Sequence, residues 1–341
     1  MLGPNHLGFA NLVHHIPVTA IPGLPHAAGP VALVSQSGMG ASAMLDFAAM
    51  TGVGLSYVVT LGNEAMVTAG DLLDYLAGDE HTKAIALLLE TVRQPEVFAA
   101  AARRAAGSGK AVVVLKTGRS EVSARAAAAH TGALAGDDQV IGELSRELGL
   151  MRVTSIEDLV LTAGAAAQLG RLARPGIGVV SISGGACDMI ADHAADAGAV
   201  LPDLAPATRS ALAGILPPFA TAQNPLDITG AAIIDPGLFT RAIEIMSADP
   251  LIGVVAVISA LPWQPVSGPW LGQSLADAIG AGAQRAKVPV VQVTQVLQPV
   301  SGTSQVTAAG IPHVLPGLQH AAQALANIAR WSQATRRNRF P

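Results

Sequence analysis

The stretch VALVSQSGMGASAMLDFAAMTG, residues 31–52, decides the fold. Val31 to Ser35 is a short run suited to a strand, QSGMG is a tight glycine turn, and Ala41 to Thr51 is an Ala- and Met-rich helical stretch that stops at Gly52. A strand that runs through a glycine turn into a helix is the opening unit of a parallel α/β sheet. The unit returns 146 residues later. Val180-Ser181-Ile182-Ser183-Gly184-Gly185 matches Val34-Ser35-Gln36-Ser37-Gly38-Met39, and Gly198 stands to Gly184 as Gly52 stands to Gly38.

Working outward, apolar runs at Leu55–Leu61, Ala84–Leu89, Ala111–Leu115 and the short MRV at 151–153 read as strands. Between them Thr68–Ala77, Glu96–Ala106 and Asp138–Leu148 read as helices, and Ser155 with Asp158 has the spacing of a capping box opening one more. In the second half, Gly253–Ser259 and Val288–Val293 read as buried strands, with helices at Asp235–Met246 and Gln273–Ala286. Strands alternating with helices imply parallel pairing through right-handed crossovers. The expectation is an α/β chain of two flavodoxin-like, doubly wound parallel-sheet domains, 29–174 and 175–330. Residues 1–28 are rich in Pro and Gly and read as the end of some other structure followed by a linker. Residues 331–341 read as a basic tail.

Composition narrows the function. Half of the 341 residues are apolar, enough for more than one buried core, and the net charge of -4 argues against a general nucleic-acid footprint. Cys187 is the only cysteine, which excludes an internal disulfide and any multi-cysteine metal site and is compatible with a cytoplasmic setting. No Lys or Arg precedes Lys83, so the start lacks the basic region of a secretory signal. The uncharged stretch Val288–Ala329 is interrupted by Pro289, Pro299, Pro312 and Pro316 and does not read as a membrane span. His14, His15 and His26 share no ligand-like spacing, so no metal is expected.

The glycine turns carry the chemistry. Each aims free backbone N–H groups and the positive end of a helix dipole at one point, which suits an anion. Ser37, Gly38 and Met39 in the first copy, and Ser183, Gly184 and Gly185 in the second, are therefore candidate phosphate-binding residues. The stretch KTGRSEVSARAAAAHTGALAGDD, 116–138, places His130 before a Thr131-Gly132 turn, with Lys116, Arg119 and Arg125 upstream as counter-charge. Both helix starts are expected to point at this loop. Asn63, in a Gly-Asn turn at a strand end, and Asn224, in the loop Asn224-Pro225-Leu226-Asp227, join Lys116, Thr131 and Gly132 as candidate substrate-binding residues. Cys187, in the first turn of a helix, reads as a small buried residue. Neither a GxxxxGK[ST] phosphate loop nor a GxGxxG fingerprint occurs.

GPNHLG, VSQSGMGA, LGNEAMVTAGDLLDYL, LLLETV, KTGRSE, AHTGALAG, SGGACDMIAD and NPLDITG follow one another in the order found in the nucleoside-diphosphate-forming acyl-CoA synthetases, relatives of succinyl-CoA synthetase, which this chain resembles over nearly its whole length. The resemblance departs at His6, where Cys is usual, and at Met66, where many relatives have Asp. It implies that His130 is phosphorylated during turnover and that Glu90 holds the other imidazole nitrogen. It also implies a reaction in which acyl-CoA, phosphate and ADP are interconverted with acid, CoA and ATP through an acyl phosphate and a phosphohistidine. The cofactors would be CoA or acyl-CoA, phosphate, and ATP or ADP with Mg²⁺ held on an ATP-grasp domain or subunit. On this reading residues 1–28 are a remnant of a CoA-binding domain and linker, the partners are that domain and the ATP-grasp domain, and a homo- or hetero-oligomer is expected, with neither nucleic acid nor membrane. The alternative is a non-catalytic module that binds acyl-CoA or a phosphorylated metabolite and regulates an attached enzyme, as in protein acetyltransferases bearing similar domains.

Overall fold

The computed structural model describes residues 2–25, 27–118, 120, 122, 137–260, 272–300, 310 and 313–337. The chain divides into two units, Met1–Gly170 with Gln333–Pro341, and Arg171–Ser332. Each is built on a mostly parallel α/β sheet of the doubly wound kind, as the repeat requires.

In the first unit the strands are β1 Gly8–Asn11, β2 Ile16–Thr19, β3 Ala28–Ser35, β4 Leu55–Thr60, β5 Ala84–Leu89, β6 Ala111–Lys116 and β7 Met151–Val153. The helices are α1 Gly38–Thr51, α2 Ala69–Gly78, α3 Pro95–Gly107, α4 Asp137–Leu148 and α5 Ile156–Leu169. The sheet order is β2-β1-β4-β3-β5-β6-β7, with β3 to β7 mutually parallel. Every residue of β4, β5 and β6 is buried, because helices cover both faces of the parallel strands. Their largely apolar sequences, LSYVVT, AIALLL and AVVVLK, follow from that.

The chain goes from β3 to β4 on one side and then crosses to β5 on the other. This reversal leaves a crevice between the carboxyl ends of β3 and β5, the place where open α/β sheets bind ligands.

Residues 8–19, within the stretch read from sequence as the end of another structure followed by a linker, form a β1–β2 hairpin whose first strand pairs antiparallel with β4. Pro17 is one of the prolines that suggested a linker. It lies on β2, the edge strand, where a missing N–H is tolerated. The hairpin is pinned at its far end: Asn11 Nδ2 donates to the Tyr57 hydroxyl (3.1 Å), which donates to Asp79 Oδ1 (3.1 Å).

The second unit carries β8 Gly176–Ser181, β9 Leu226–Asp227, β10 Ile252–Ile258, β11 Val290–Thr294 and β12 Val314–Pro316 in the all-parallel order β12-β11-β10-β8-β9. Its helices are α6 Gly184–Ala197, α7 Pro206–Ala213, α8 Ala231–Ile234, α9 Gly237–Ser247 and α10 Gln273–Arg285. Numbered along the chain from β3 and from β8, the parallel strands of both units run 2-1-3-4-5, the flavodoxin order. A last helix, α11, spans Leu318–Arg337, so the expected tail from 331 is helical as far as Arg337, and Trp331 and Ser332 are buried.

Helix starts are set by side chains. Thr68 and Asp71 form a full capping box: Asp71 N donates to Thr68 Oγ1 (3.4 Å), while Thr68 N donates to Asp71 Oδ2 (2.8 Å). At the predicted box, Ser155 Oγ accepts from Asp158 N (3.0 Å) and donates to Asp158 Oδ2 (2.8 Å). Thr68→Ala removes one partner of the first box. It is expected to lower stability by about 1 kcal/mol, read as an earlier urea midpoint with an unchanged slope.

Candidate functional site

At the crevice of the first unit β3 ends in Ser35-Gln36-Ser37 and hands over to α1. Ser35 Oγ donates to the Ser37 carbonyl (2.6 Å) and accepts from Ser37 N (3.0 Å), which curls the chain. Ser37 then caps α1, its hydroxyl accepting from Gly40 N (3.1 Å), and Ala41 N donates to its carbonyl (3.0 Å). The first two helical N–H groups, of Gly38 and Met39, have no acceptor among the described residues. They are the donors a phosphate would take.

Gln36 fixes the opposite lip. Its Oε1 accepts from Glu90 N (2.5 Å) and Thr91 N (2.9 Å), and its Nε2 donates to the Thr91 carbonyl (2.8 Å). From below, the buried Lys116 ammonium donates to the carbonyls of Glu90 (2.7 Å) and Thr117 (2.6 Å). Lys116 thus supports the loop that carries Glu90 and does not line the pocket. The half-buried Glu90 carboxylate does line it and has no hydrogen-bond partner among the described residues.

The third wall comes from the amino terminus. Asn63 N donates to the Pro4 carbonyl (2.9 Å) and Ala65 N to the Gly3 carbonyl (2.9 Å), while Asn5 Nδ2 donates to Asn63 Oδ1 (3.3 Å). Gly62 makes this approach feasible: it has φ +58°, and a Cβ there would sit 2.2 Å from the Pro4 carbonyl oxygen. The result is a pocket of about 760 Å³ bounded by the segment Leu2–Leu7, the start of α1, the Gly62-Asn63 turn and the Glu90–Arg93 loop. Ser37, Gly38, Met39, Asn63 and Glu90 are thereby brought together. His130, Thr131 and Gly132, with Arg119 and Arg125, lie outside the described residues.

Sequence reasoning missed His6, Asn5 and Arg93 as lining residues and Glu64 behind them. Arg93 was legible as a cation three residues beyond Glu90 in a strand-to-helix loop. Glu64 was not, because its burial depends on long-range packing. Glu64 is 5% exposed and adopts φ +51°; Oε1 accepts from Ala69 N (2.9 Å), and Oε2 has no partner among the described residues. Burial pushes its carboxyl above the ordinary value, against the opposing pulls of Gln36, the Ala69 N–H and the Arg93 charge.

The second unit repeats the turn with different chemistry. Ser183 caps α6 through Ala186 N (3.3 Å), and Ser183 N donates to Ser181 Oγ (3.1 Å), as in the first copy. Here a carboxylate stands at the helix start: a Cβ on Gly184 would lie 3.1 Å from Asp227 Oδ2. Burial, and then the charges of Asp227 and Asp188, push the Cys187 thiol up to about 12, which makes it inert as a nucleophile. Asn224 is committed to the fold. Its Oδ1 accepts from Val179 N (2.9 Å), and its Nδ2 donates to the carbonyls of Ile177 (2.9 Å) and Pro202 (3.1 Å).

Two flavodoxin-like units in tandem, the first with its pocket at the strand-order reversal, define the succinyl-CoA ligase-like class. Residues 28–166 match the succinyl-CoA ligase like flavodoxin domain and residues 177–301 the Ligase-CoA domain. Over 232 residues, 68% of this chain, the sequence is 34% identical to the ADP-forming acetate–CoA ligase of Methanocaldococcus jannaschii, of which it covers 32%. Over 260 residues, 76% of this chain, it is 34% identical to the alpha subunit of ADP-forming acetate–CoA ligase I of Pyrococcus furiosus, of which it covers 55%. The fold superimposes on the dinucleotide-forming acetyl-coenzyme A synthetase 1 of Ca. Korarchaeum cryptofilum, solved in complex with phosphate and ADP, with TM-score 0.83 and 26% identity over 98% of this chain and 71% of that one. The chain therefore carries the succinyl-CoA ligase like flavodoxin and Ligase-CoA domains, has ADP-forming acetyl-CoA synthetases among its homologues, and spans only part of the length of these relatives.

Because burial raises the Glu64 pKa, the group favours the folded state below its unfolded value of 4.5 and loses that contribution as pH rises through the folded value. Glu64→Gln keeps an acceptor for Ala69 N and cannot ionise. The variant's melting temperature relative to wild type is therefore expected to rise between pH 4 and pH 8; a gap that stays flat across this range would contradict the assignment.

Proposed function

We propose that this chain is the acyl-phosphate and phosphohistidine portion of an NDP-forming acyl-CoA synthetase. The observation that carries the reading is the pocket at the strand-order reversal, where two helix-start N–H groups without an acceptor among the described residues and Glu90 share one cavity. Phosphate would attack the thioester carbonyl of an acyl-CoA, expelling CoA and leaving an acyl phosphate. An imidazole nitrogen of His130 would then attack phosphorus, releasing the carboxylic acid. The phosphohistidine would hand its phosphoryl group to ADP bound with Mg²⁺ on an ATP-grasp domain or subunit, and a CoA-binding domain would supply the thioester.

The roles follow from charge. The N–H groups of Gly38 and Met39 stabilise phosphate oxygens through ground and transition states. Glu90, with its backbone clamped by Gln36 and Lys116, accepts the N–H of the second imidazole nitrogen, fixes the tautomer and offsets the positive ring that forms on attack.

Acetyl phosphate labelled at phosphorus tests the central step without any partner, because it needs only the acyl phosphate and His130. The chain should acquire an acid-labile, alkali-stable label that His130→Ala lacks. Glu90→Gln should keep the fold and slow labelling by about 10- to 100-fold, the equivalent of one to two pK units of lost imidazolium stabilisation. Equal labelling of wild type and His130→Ala would overturn the proposal in favour of a non-catalytic acyl-CoA-binding module.

A further inference from the structure

At about 760 Å³ the pocket falls in the range of about 300–1,000 Å³ that encloses whole organic ligands, and inorganic phosphate fills only a corner of it. Its lining is divided. Backbone donors of α1, the Asn63 turn, Glu90 and Arg93 make a polar side, whereas Leu2, Pro4, Leu7 and the Met39 side chain make an apolar one. Met39 is 78% exposed, so it contributes nothing to the core and its place on the pocket calls for another explanation.

His6 stands within the same wall. Gly8 N donates to its Nδ1 (2.9 Å), and a nitrogen that accepts carries no proton, so in the neutral ring the proton is on Nε2. The ring is exposed, and among the described residues Nε2 has no acceptor. Gly3, at φ +86°, makes room for it, since a Cβ there would lie 2.2 Å from His6 Cδ2. The turn holds in the pocket wall an imidazole whose Nε2–H is left without an acceptor among the described residues.

We propose that the amino-terminal segment, with Met39 of α1, is the acyl-recognition wall of the site: Leu2, Pro4, Leu7 and Met39 receive the hydrocarbon part of a carboxylic acid or its acyl phosphate, and His6 Nε2–H donates to its carboxyl or carbonyl oxygen. This deepens the function proposed above and rests on it. The ligand class is a small to medium monocarboxylic acid, with the carboxyl directed toward the phosphate donors of α1.

Imidazole nitrogen NMR of the isotope-labelled chain, titrated with acetate, butyrate and hexanoate, tests this independently of His130. The free protein should show His6 as the Nε2–H tautomer, and butyrate should shift its Nε2 resonance. His6→Ala should weaken carboxylate binding by about tenfold, the loss of one hydrogen bond to a charged group, and leave inorganic phosphate binding within about twofold. His6→Gln, which keeps an N–H near the Nε2 position, should restore part of the loss. Met39→Ala should move the preference toward hexanoate. The proposal is overturned by a wild-type chain that binds no carboxylate, by a His6→Ala effect that is equal for phosphate and carboxylate, or by no effect at all. Acetyl-phosphate labelling separates the failures: wild type without label sinks the parent function, whereas labelled protein with unaltered acid selectivity in both variants sinks the acyl wall alone.

Discussion

The carboxamide of Gln36 is the joint on which the site depends. One side chain at the end of β3 accepts from two consecutive amides of the loop leaving β5 and donates back to that loop, and its own backbone N–H donates to Leu88 (3.1 Å). Where the strand order reverses, no crossover connection ties the two carboxyl ends together, and the sheet alone would leave these loops to find their own positions. Gln36 supplies the missing tie and Lys116 braces it from beneath. The Glu90 carboxylate is thereby held on a defined backbone beside the helix start, although no hydrogen bond from the described residues to the carboxylate itself does the holding. Preorganisation of this kind is what a site needs when it must favour charge that exists only briefly.

Much of the architecture was legible because it is local. Val31–Ser35, the QSGMG turn and the helix to Gly52 are written in consecutive residues, and their recurrence at Val180–Gly198 announced the second unit. Fully buried parallel strands produce unbroken apolar runs, so β4, β5, β6 and β10 could be read within a residue or two. Elements that owe their existence to distant partners were not. The two-residue β9 exists through its pairing with β8, and the β1–β2 hairpin is defined by its docking on β4. The same holds for the site. Ser37, Gly38 and Glu90 belong to recognisable turns, whereas His6 and Glu64 reach the pocket region through long-range contacts among the Gly3–Leu7 segment, the Gly62–Ala65 turn and the start of α2.

The two glycine turns show how a repeated backbone can diverge through one neighbour. Both have a serine cap, both leave a helix start facing the carboxyl edge of a sheet, and both sheets share one strand order. The first opens on a pocket with Arg93 among its lining residues; the second has Asp227 beside Gly184. A carboxylate at a helix start already satisfies part of the dipole there and opposes a second anion. Identical turns therefore do not imply identical ligands, and the symmetry of the sequence overstates the symmetry of the chemistry.

The β1–β2 hairpin also bears on solubility. Without it, β4, paired with β3 along its other side, would present a free edge along LSYVVT, a sequence with β-branched and aromatic residues and without charge or proline, which is the composition that recruits other strands. The hairpin covers that edge and ends the sheet on β2, four exposed or half-exposed residues interrupted by Pro17. A short, proline-bearing border is a poor template for further pairing. The segment that walls the pocket is thus continuous with the one that caps the sheet, and a protein trimmed at its amino terminus would lose a wall of the pocket and the cover of its sheet edge together.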